Sequence, residues 1–290
     1  MTAAASHHAA EKLCQLLSDM TGQTVSEGRR WRIESSLRPL LRARGLASLD
    51  ALIAAIERDP RGPLAAQAVD AMLNHESSFF RDIGVFRTLE QSVLPRIQDA
   101  AREKLLRIWC AGASTGQEAY SLAMMLKRMG PLWDDWRINI HATDVSPAAI
   151  ETARRGRYTQ MDMQRGLPIN ELLRWFTAVG DDWQLSDEIR EMVSFSADNL
   201  LDPRRVSGLF DLILCRNVLF YFPEEKKREA CAQLARFARP GTYLVLGAGE
   251  MLAGLGSRFV SCRDLNCIYI ADRRADPTRS DRYPSETLAS

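Results

Sequence analysis

The sequence predicts an α/β fold: a doubly wound parallel sheet with a small inserted β-subdomain, preceded by an all-α domain. Two observations carry this. From residue 105 onward short apolar runs alternate with helical patterns, the rhythm of a parallel sheet. Up to residue 73 apolar residues recur only at helical spacing. A chain of 290 residues is long enough for about two domains with their own cores.

The helical domain is assigned to 1–73. LCQLLSDM, LRPLLRARGL, LDALIAAIE and AAQAVDAML space apolar residues by three and four. Gly45 and the Pro60-Arg61-Gly62-Pro63 cluster punctuate them, and Ser48 is placed as an N-cap before Asp50 and Ala51. Pro39 falls inside the second pattern, where a proline should kink or end the helix. Residues 74–104 are read as a linking segment.

The sheet domain is assigned to 105–271. LLRIWCAGA is a buried strand followed by the helix STGQEAYSLAMMLKRM. RINIHATDVS is a second strand ending at Asp144, followed by PAAIETARRG with Pro147 in a favourable first-turn position. MVSFSADNL, FDLILCRNV, the helix PEEKKREACAQLARFA and TYLVLGAGE after a break at Pro240-Gly241 continue the alternation. FVSCRDLNCIYIAD ends the domain as two strands around Arg263-Asp264-Leu265, too close for a crossover. Between about 157 and 196 the rhythm is interrupted, and WFTAVGDDWQLS reads as a hairpin turning at Gly180-Asp181-Asp182. That interruption is the inserted β-subdomain. The polar, proline-containing tail 272–290 is expected to be disordered.

Composition excludes several classes. Apolar residues make up 46% and charged residues 26%, a globular mixture. No run reaches the ~18 apolar residues of a spanning helix, and the start lacks a secretory pattern. Six scattered cysteines without a CxxC pair predict free thiols in a cytoplasmic protein and no metal site. A net charge of +1 gives no support to nucleic-acid binding. The average hides a bias: 33 arginines stand against five lysines, and Arg29, Arg30, Arg32, Arg38, Arg42 and Arg44 crowd one early segment. A solvated helix face is the plain reading; bidentate binding of carboxylates is the functional one.

Ligands of such sheets sit at the carboxyl ends of the strands. The first loop there, Ala111 to Glu118, is neither GxGxxG nor a phosphate-binding GxxxxGK[ST]. A loose glycine turn with acids at two strand ends suits adenosine without phosphates, as in S-adenosylmethionine. Asp144 is placed to accept from a ribose diol, with a helix N-cap as its alternative role. Glu118 would face the cationic end of the ligand, with helix-dipole stabilisation as its alternative.

Four segments in register resemble the chemotaxis receptor glutamate methyltransferases, the CheR family. They are NHESSFFRD, RIWCAGASTGQEAYSLAMML, ATDVSPAAIETARRGRY and FDLILCRNVLFYF. The resemblance covers almost the whole chain. It implies a Rossmann-like S-adenosylmethionine-dependent methyltransferase sheet, and methyl transfer to glutamate carboxylates on chemoreceptor helices, releasing S-adenosylhomocysteine. Carried over by position, Asp144 would hold the ribose, Glu118 the methionine end, and Asn199 and Leu200 the adenine. Asn217 and Val218 would line the pocket beside the reacting centre, with Ser77 and Arg81 packed over the cofactor. The family commonly has asparagine where His75 stands, while Asn74 is one residue earlier: either His75 makes the equivalent cofactor contact, or the register is off by one and Asn74 fills that position; an ordinary loop histidine is the alternative role of His75. Basic residues of the N-terminal domain would meet the acidic methylation helix. The hairpin corresponds to the module that tethers some members to a receptor C-terminal peptide. Its turn here is short and acidic without an extended glycine-rich loop, which argues for a peptide-independent enzyme.

A glutamate carboxylate with pKa about 4.3 is already ionised at neutral pH, so its methylation needs no general base. Arg81 is therefore expected to position the acceptor, with Tyr221 as a second candidate contact or an aromatic packed under the following helix. Two other readings stay open: a small-molecule carboxyl methyltransferase, and a signalling module that binds S-adenosylmethionine without turnover.

Overall fold

The computed structural model describes residues 3–29 and 31–272. Four helices form the N-terminal region: α1 (Ala3–Thr21), α2 (Trp31–Ala43), α3 (Leu49–Arg58) and α4 (Pro63–Met72). Their apolar faces meet in a core containing Leu13, Leu37, Leu52 and Ala68, all fully buried. Ser48 caps α3 as expected, its hydroxyl accepting the Ala51 N–H at 3.2 Å. Pro39 does not end α2: the helix runs through to Ala43. Pro39 and Ser35, whose carbonyl loses its i→i−4 donor, are both on the exposed face, where the freed group is accessible to solvent.

The 74–104 segment is a loop through Asp82 followed by α5 (Ile83–Thr88), a π-helical turn at Leu89–Val93 and α6 (Leu94–Ala100). The main sheet then uses β1 (Leu105–Ala111), β2 (Arg137–Asp144), β6 (Val193–Ala197), β7 (Phe210–Cys215), β8 (Ala238–Leu246), β9 (Phe259–Ser261) and β10 (Ile268–Ala271). Their order is β6-β2-β1-β7-β8-β10-β9. The first five pair in parallel, and β10 runs antiparallel to both neighbours. β7 is buried along its whole length, as a central strand covered on both faces must be. Crossover helices α7 (Gln117–Met129), α8 (Pro147–Arg155) and α12 (Glu224–Arg236) pack on the sheet. The break expected at Pro240-Gly241 is a bulge inside β8. Phe210 pairs with Ala238 and Leu212 with Tyr243, and Gly241 takes φ +92°.

The insertion contains β3 (Arg157–Thr159), α9 (Gln160–Gln164), α10 (Ile169–Trp175), β4 (Phe176–Val179), β5 (Asp182–Leu185) and α11 (Asp187–Arg190). β3, β5 and β4 form a separate three-stranded antiparallel sheet, with the hairpin turning at Gly180-Asp181. One boundary is corrected. Residues 193–196, expected inside the insertion, belong to β6, which pairs with β2 in the main sheet. The insertion braces the loop before α5: the Phe79 ring stands edge-on to Tyr158 at 5.0 Å and to Phe176 at 5.5 Å. Phe79 and Phe80 are thus core residues. The tail from 273 onward, for which disorder was expected, lies outside the described residues.

Candidate active site

The strand order reverses between β1 and β7, so the carboxyl ends of these strands open a crevice. A cavity of about 580 Å³ lies there, within the ~300–1,000 Å³ range of small-molecule sites. All ten residues expected at the site line it: His75, Ser77, Arg81, Glu118, Asp144, Asn199, Leu200, Asn217, Val218 and Tyr221. They come from separate loops, and the helical region adds Thr21, Gln23, Trp31 and Arg32.

Asp144 ends β2 with each carboxylate oxygen taking one backbone N–H: Ser114 at 2.7 Å and Ser146 at 2.9 Å. Ser146, not Asp144, caps α8, accepting from Ala149 N–H at 3.0 Å. Burial pushes the Asp144 carboxyl up, and the two N–H donors pull it back. Its remaining lone pairs suit a vicinal diol. Gly112 has φ +81° and packs so closely on Val218 that a Cβ would run into that side chain. The glycine therefore lets the backbone form the pocket floor.

Glu118 sits in the first turn of α7, and its Oε2 accepts from Arg216 Nη1 at 2.6 Å. Burial raises its carboxyl pKa, and the Arg216 charge opposes that shift. Among the described residues Oε1 has no hydrogen bond, so it can take a cationic ligand group. Arg81 Nη1 donates to the Glu76 carbonyl at 3.2 Å. The Tyr221 hydroxyl accepts from the Asn74 amide. His75 is engaged differently: its ring Nε2 is 3.2 Å from the Asp70 carbonyl, and its own carbonyl accepts the Ser114 hydroxyl at 3.0 Å. Asn199 accepts the Leu201 N–H at 2.9 Å and donates to the Met20 carbonyl at 3.2 Å, leaving one amide hydrogen for a ligand. Asn217 takes φ +60°.

The residue pattern missed two buried groups that build this site. Arg216 binds Glu118, Asp82 and the Arg81 carbonyl. Glu250 accepts the N–H groups of Gly247 and Asn217 at 2.8 Å, Val218 at 2.9 Å and Phe220 at 3.3 Å. A charged residue in an otherwise apolar strand end (LILCRNV) and a lone acid after a glycine-rich strand exit (LGAGE) were the available signals.

The CheR methyltransferase SAM-binding domain matches residues 75–265 of this chain. The chain belongs to the CheR methyltransferase family. It is similar to the chemotaxis protein methyltransferase of Vibrio parahaemolyticus, 35% identical over 86% of this chain and 91% of the relative. It is also similar to chemotaxis protein methyltransferase 1 of Pseudomonas aeruginosa, 37% identical over 84% of this chain and 90% of that one. A Pseudomonas putida chemotaxis protein methyltransferase, Cher2, is 34% identical over 86% of this chain and 90% of its own length. The cofactor of this CheR protein is accordingly S-adenosylmethionine, and the protein is a methyltransferase. The cavity size, the open face of Asp144 and the glycine floor fit that ligand.

Proposed function

We propose that this chain transfers the methyl group of S-adenosylmethionine to glutamate side-chain carboxylates of chemoreceptors in the cytoplasm, giving glutamate methyl esters and S-adenosylhomocysteine. The observation that carries the acceptor assignment is that both regions of the fold build one cavity. Arg32 of α2 lines it together with Asp144 and Glu118. Further along α2, Arg38 and Arg42 are exposed on the face opposite the buried Ile33 and Leu37. An acidic helix lying on that face brings its carboxylates to the cavity mouth, an arrangement with no use for a small free acid. Arg44 is partly diverted, donating to Gln67 at 2.7 Å, and Arg30 lies outside the described residues.

When bound, S-adenosylmethionine supplies an electrophilic methyl on a sulfonium. Asp144 would accept the ribose hydroxyls, Glu118 would face the ammonium group, and Asn199 with Leu200 would frame the adenine. Asn217 and Val218 would form the wall beside the transferable methyl, with Ser77 and His75 lining the same cavity. Arg81 and Tyr221 would orient the acceptor carboxylate toward that methyl. The cofactor would supply the methyl to one carboxylate oxygen and leave as S-adenosylhomocysteine, so that no residue of this chain need move a proton. A full cation on the acceptor would favour its ground state as charge is neutralised, so Arg81 acts through orientation, which can supply ~7–11 kcal/mol in favourable cases.

No helix among the described residues is long and apolar enough to cross a membrane. The acidic Gly180-Asp181 turn supports an enzyme that works without a receptor C-terminal tether. The test is to compare receptor cytoplasmic fragments with glutamate or glutamine at the acceptor positions. Label from S-adenosylmethionine should enter only the glutamate form; equal labelling of both would overturn the carboxylate assignment.

A further inference from the structure

Arg216 follows the last residue of β7, and its side chain is only 1% exposed. A buried guanidinium is costly unless paired; this one is matched at Nη1 and Nη2, which reach two walls of the cavity, while its Nε has no hydrogen-bond partner among the described residues. Nη1 reaches Glu118 Oε2 at 2.6 Å, at the start of α7. Nη2 reaches Asp82 Oδ2 at 2.7 Å and the Arg81 carbonyl at 2.9 Å, in the loop before α5. The guanidinium also lies over the Phe86 ring at 5.9 Å.

That loop is conformationally costly. Phe80 and Asp82 take φ +48° and +58°; aspartate tolerates this left-handed conformation, whereas a bulky phenylalanine holds it only when its surroundings impose it. Arg216 holds the second of these residues and the carbonyl of Arg81 between them. The same cation occupies one oxygen of Glu118 and leaves the other open to the cavity. Arg216 thus joins the acceptor-orienting residue to the cofactor-binding acid.

We propose that Arg216 is a positioning residue for methyl transfer, clamping the Arg81-Asp82 turn to Glu118 so that acceptor and cofactor are held in one register. This rests on the methyltransferase reading of the cavity. Two effects separate. Losing the hold on Arg81 lowers kcat, whereas losing the charge beside Glu118 weakens the cofactor in a pH-dependent way. The groups facing Glu118 are Arg216, Arg81, Glu250, Cys110 and Cys215. Without Arg216 burial goes largely unopposed, so Glu118 takes up a proton at higher pH.

The experiment measures S-adenosylmethionine affinity by calorimetry between about pH 6 and pH 8.5, with kcat on a receptor fragment, for the unaltered protein and Arg216→Met, Arg216→Lys and Asp82→Asn. Arg216→Met should bind the cofactor about tenfold more weakly at the acid end and recover with rising pH. Arg216→Lys should restore the pH profile of the unaltered protein while kcat stays at least about tenfold down, because an ammonium cannot span both partners. Asp82→Asn alters a half-exposed carboxylate and keeps the test alive if the Arg216 variants do not fold. It should lower kcat about fivefold with affinity within about twofold. Unchanged kcat in Asp82→Asn, or a folded Arg216→Met with unaltered kcat and pH profile, overturns the clamp. Absence of cofactor binding in the unaltered protein instead overturns the reading on which it rests.

Discussion

The Ser146 hydroxyl donates to the Asp70 carboxylate, tying α4 of the helical region to the residue that caps α8. Ser146 N–H in turn donates to Asp144 at 2.9 Å. Two residues therefore connect the helical region to the ribose-binding acid. Ser146→Ala should lose the cap, about 1 kcal/mol, and leave Asp70 without its donor. Asp70→Ala should spare the cap and still weaken the cofactor several-fold. Urea denaturation and calorimetry on both variants check the separation; equal cofactor affinity in Asp70→Ala and the unaltered protein would break the link.

Glu250 gathers four backbone N–H donors from the loops after β7 and β8. Glu250→Ala strands them in a site that is only 5% exposed. Each orphaned buried donor costs about 1–3 kcal/mol, with water recovering part of it. A destabilisation of about 3 kcal/mol is expected by chemical denaturation, together with loss of the φ +60° turn at Asn217 that shapes the pocket.

The raised Asp144 carboxyl makes cofactor binding sensitive to acid. Ribose hydroxyls need the ionised form as acceptor, so affinity should fall as pH drops through the raised value. Stability runs the other way. A carboxyl that holds its proton more readily folded than unfolded contributes stability below its unfolded value, and that contribution is lost as pH rises through its folded value. Asp144→Asn should abolish the acid limb contributed by this group and weaken binding about 10- to 100-fold, since an amide cannot accept on both sides. Calorimetric titration from about pH 5 to pH 8 reads this directly.

Arg38 and Arg42 test the acceptor surface without touching the cavity. Arg38 faces Glu34 at 3.9 Å on an exposed helix surface, a contact worth little in itself. Reversing both charges, Arg38→Glu with Arg42→Glu, should raise KM for a receptor fragment about tenfold at low salt and leave cofactor affinity unchanged. The difference should shrink as salt screens the surface. A KM unaffected by the reversal would move the acceptor elsewhere.

Much of the architecture could be read locally. Strand and helix alternate with a period that needs no partner to recognise, and Asp144 and Glu118 stand at strand and helix ends that the pattern itself defines. Arg216 and Glu250 were hidden because their partners lie far along the chain: Glu118 is 98 residues from Arg216, and Asn217 is 33 from Glu250. Pro39 does not end its helix because the penalty for a proline depends on whether the freed carbonyl is open to solvent, which periodicity does not report. The run MVSFSADNL reads as a strand of the main sheet, but β6 is short and follows α11 closely, so the end of the insertion is fixed only by the pairing of β6 with β2.

The most direct measurement is the position and chemistry of the transferred methyl. After incubation with S-adenosylmethionine and a receptor cytoplasmic fragment, peptide mapping should find the methyl on glutamate, released as methanol by mild base. A base-stable methyl on nitrogen, or no methyl on a fragment whose glutamates are free, would contradict the account.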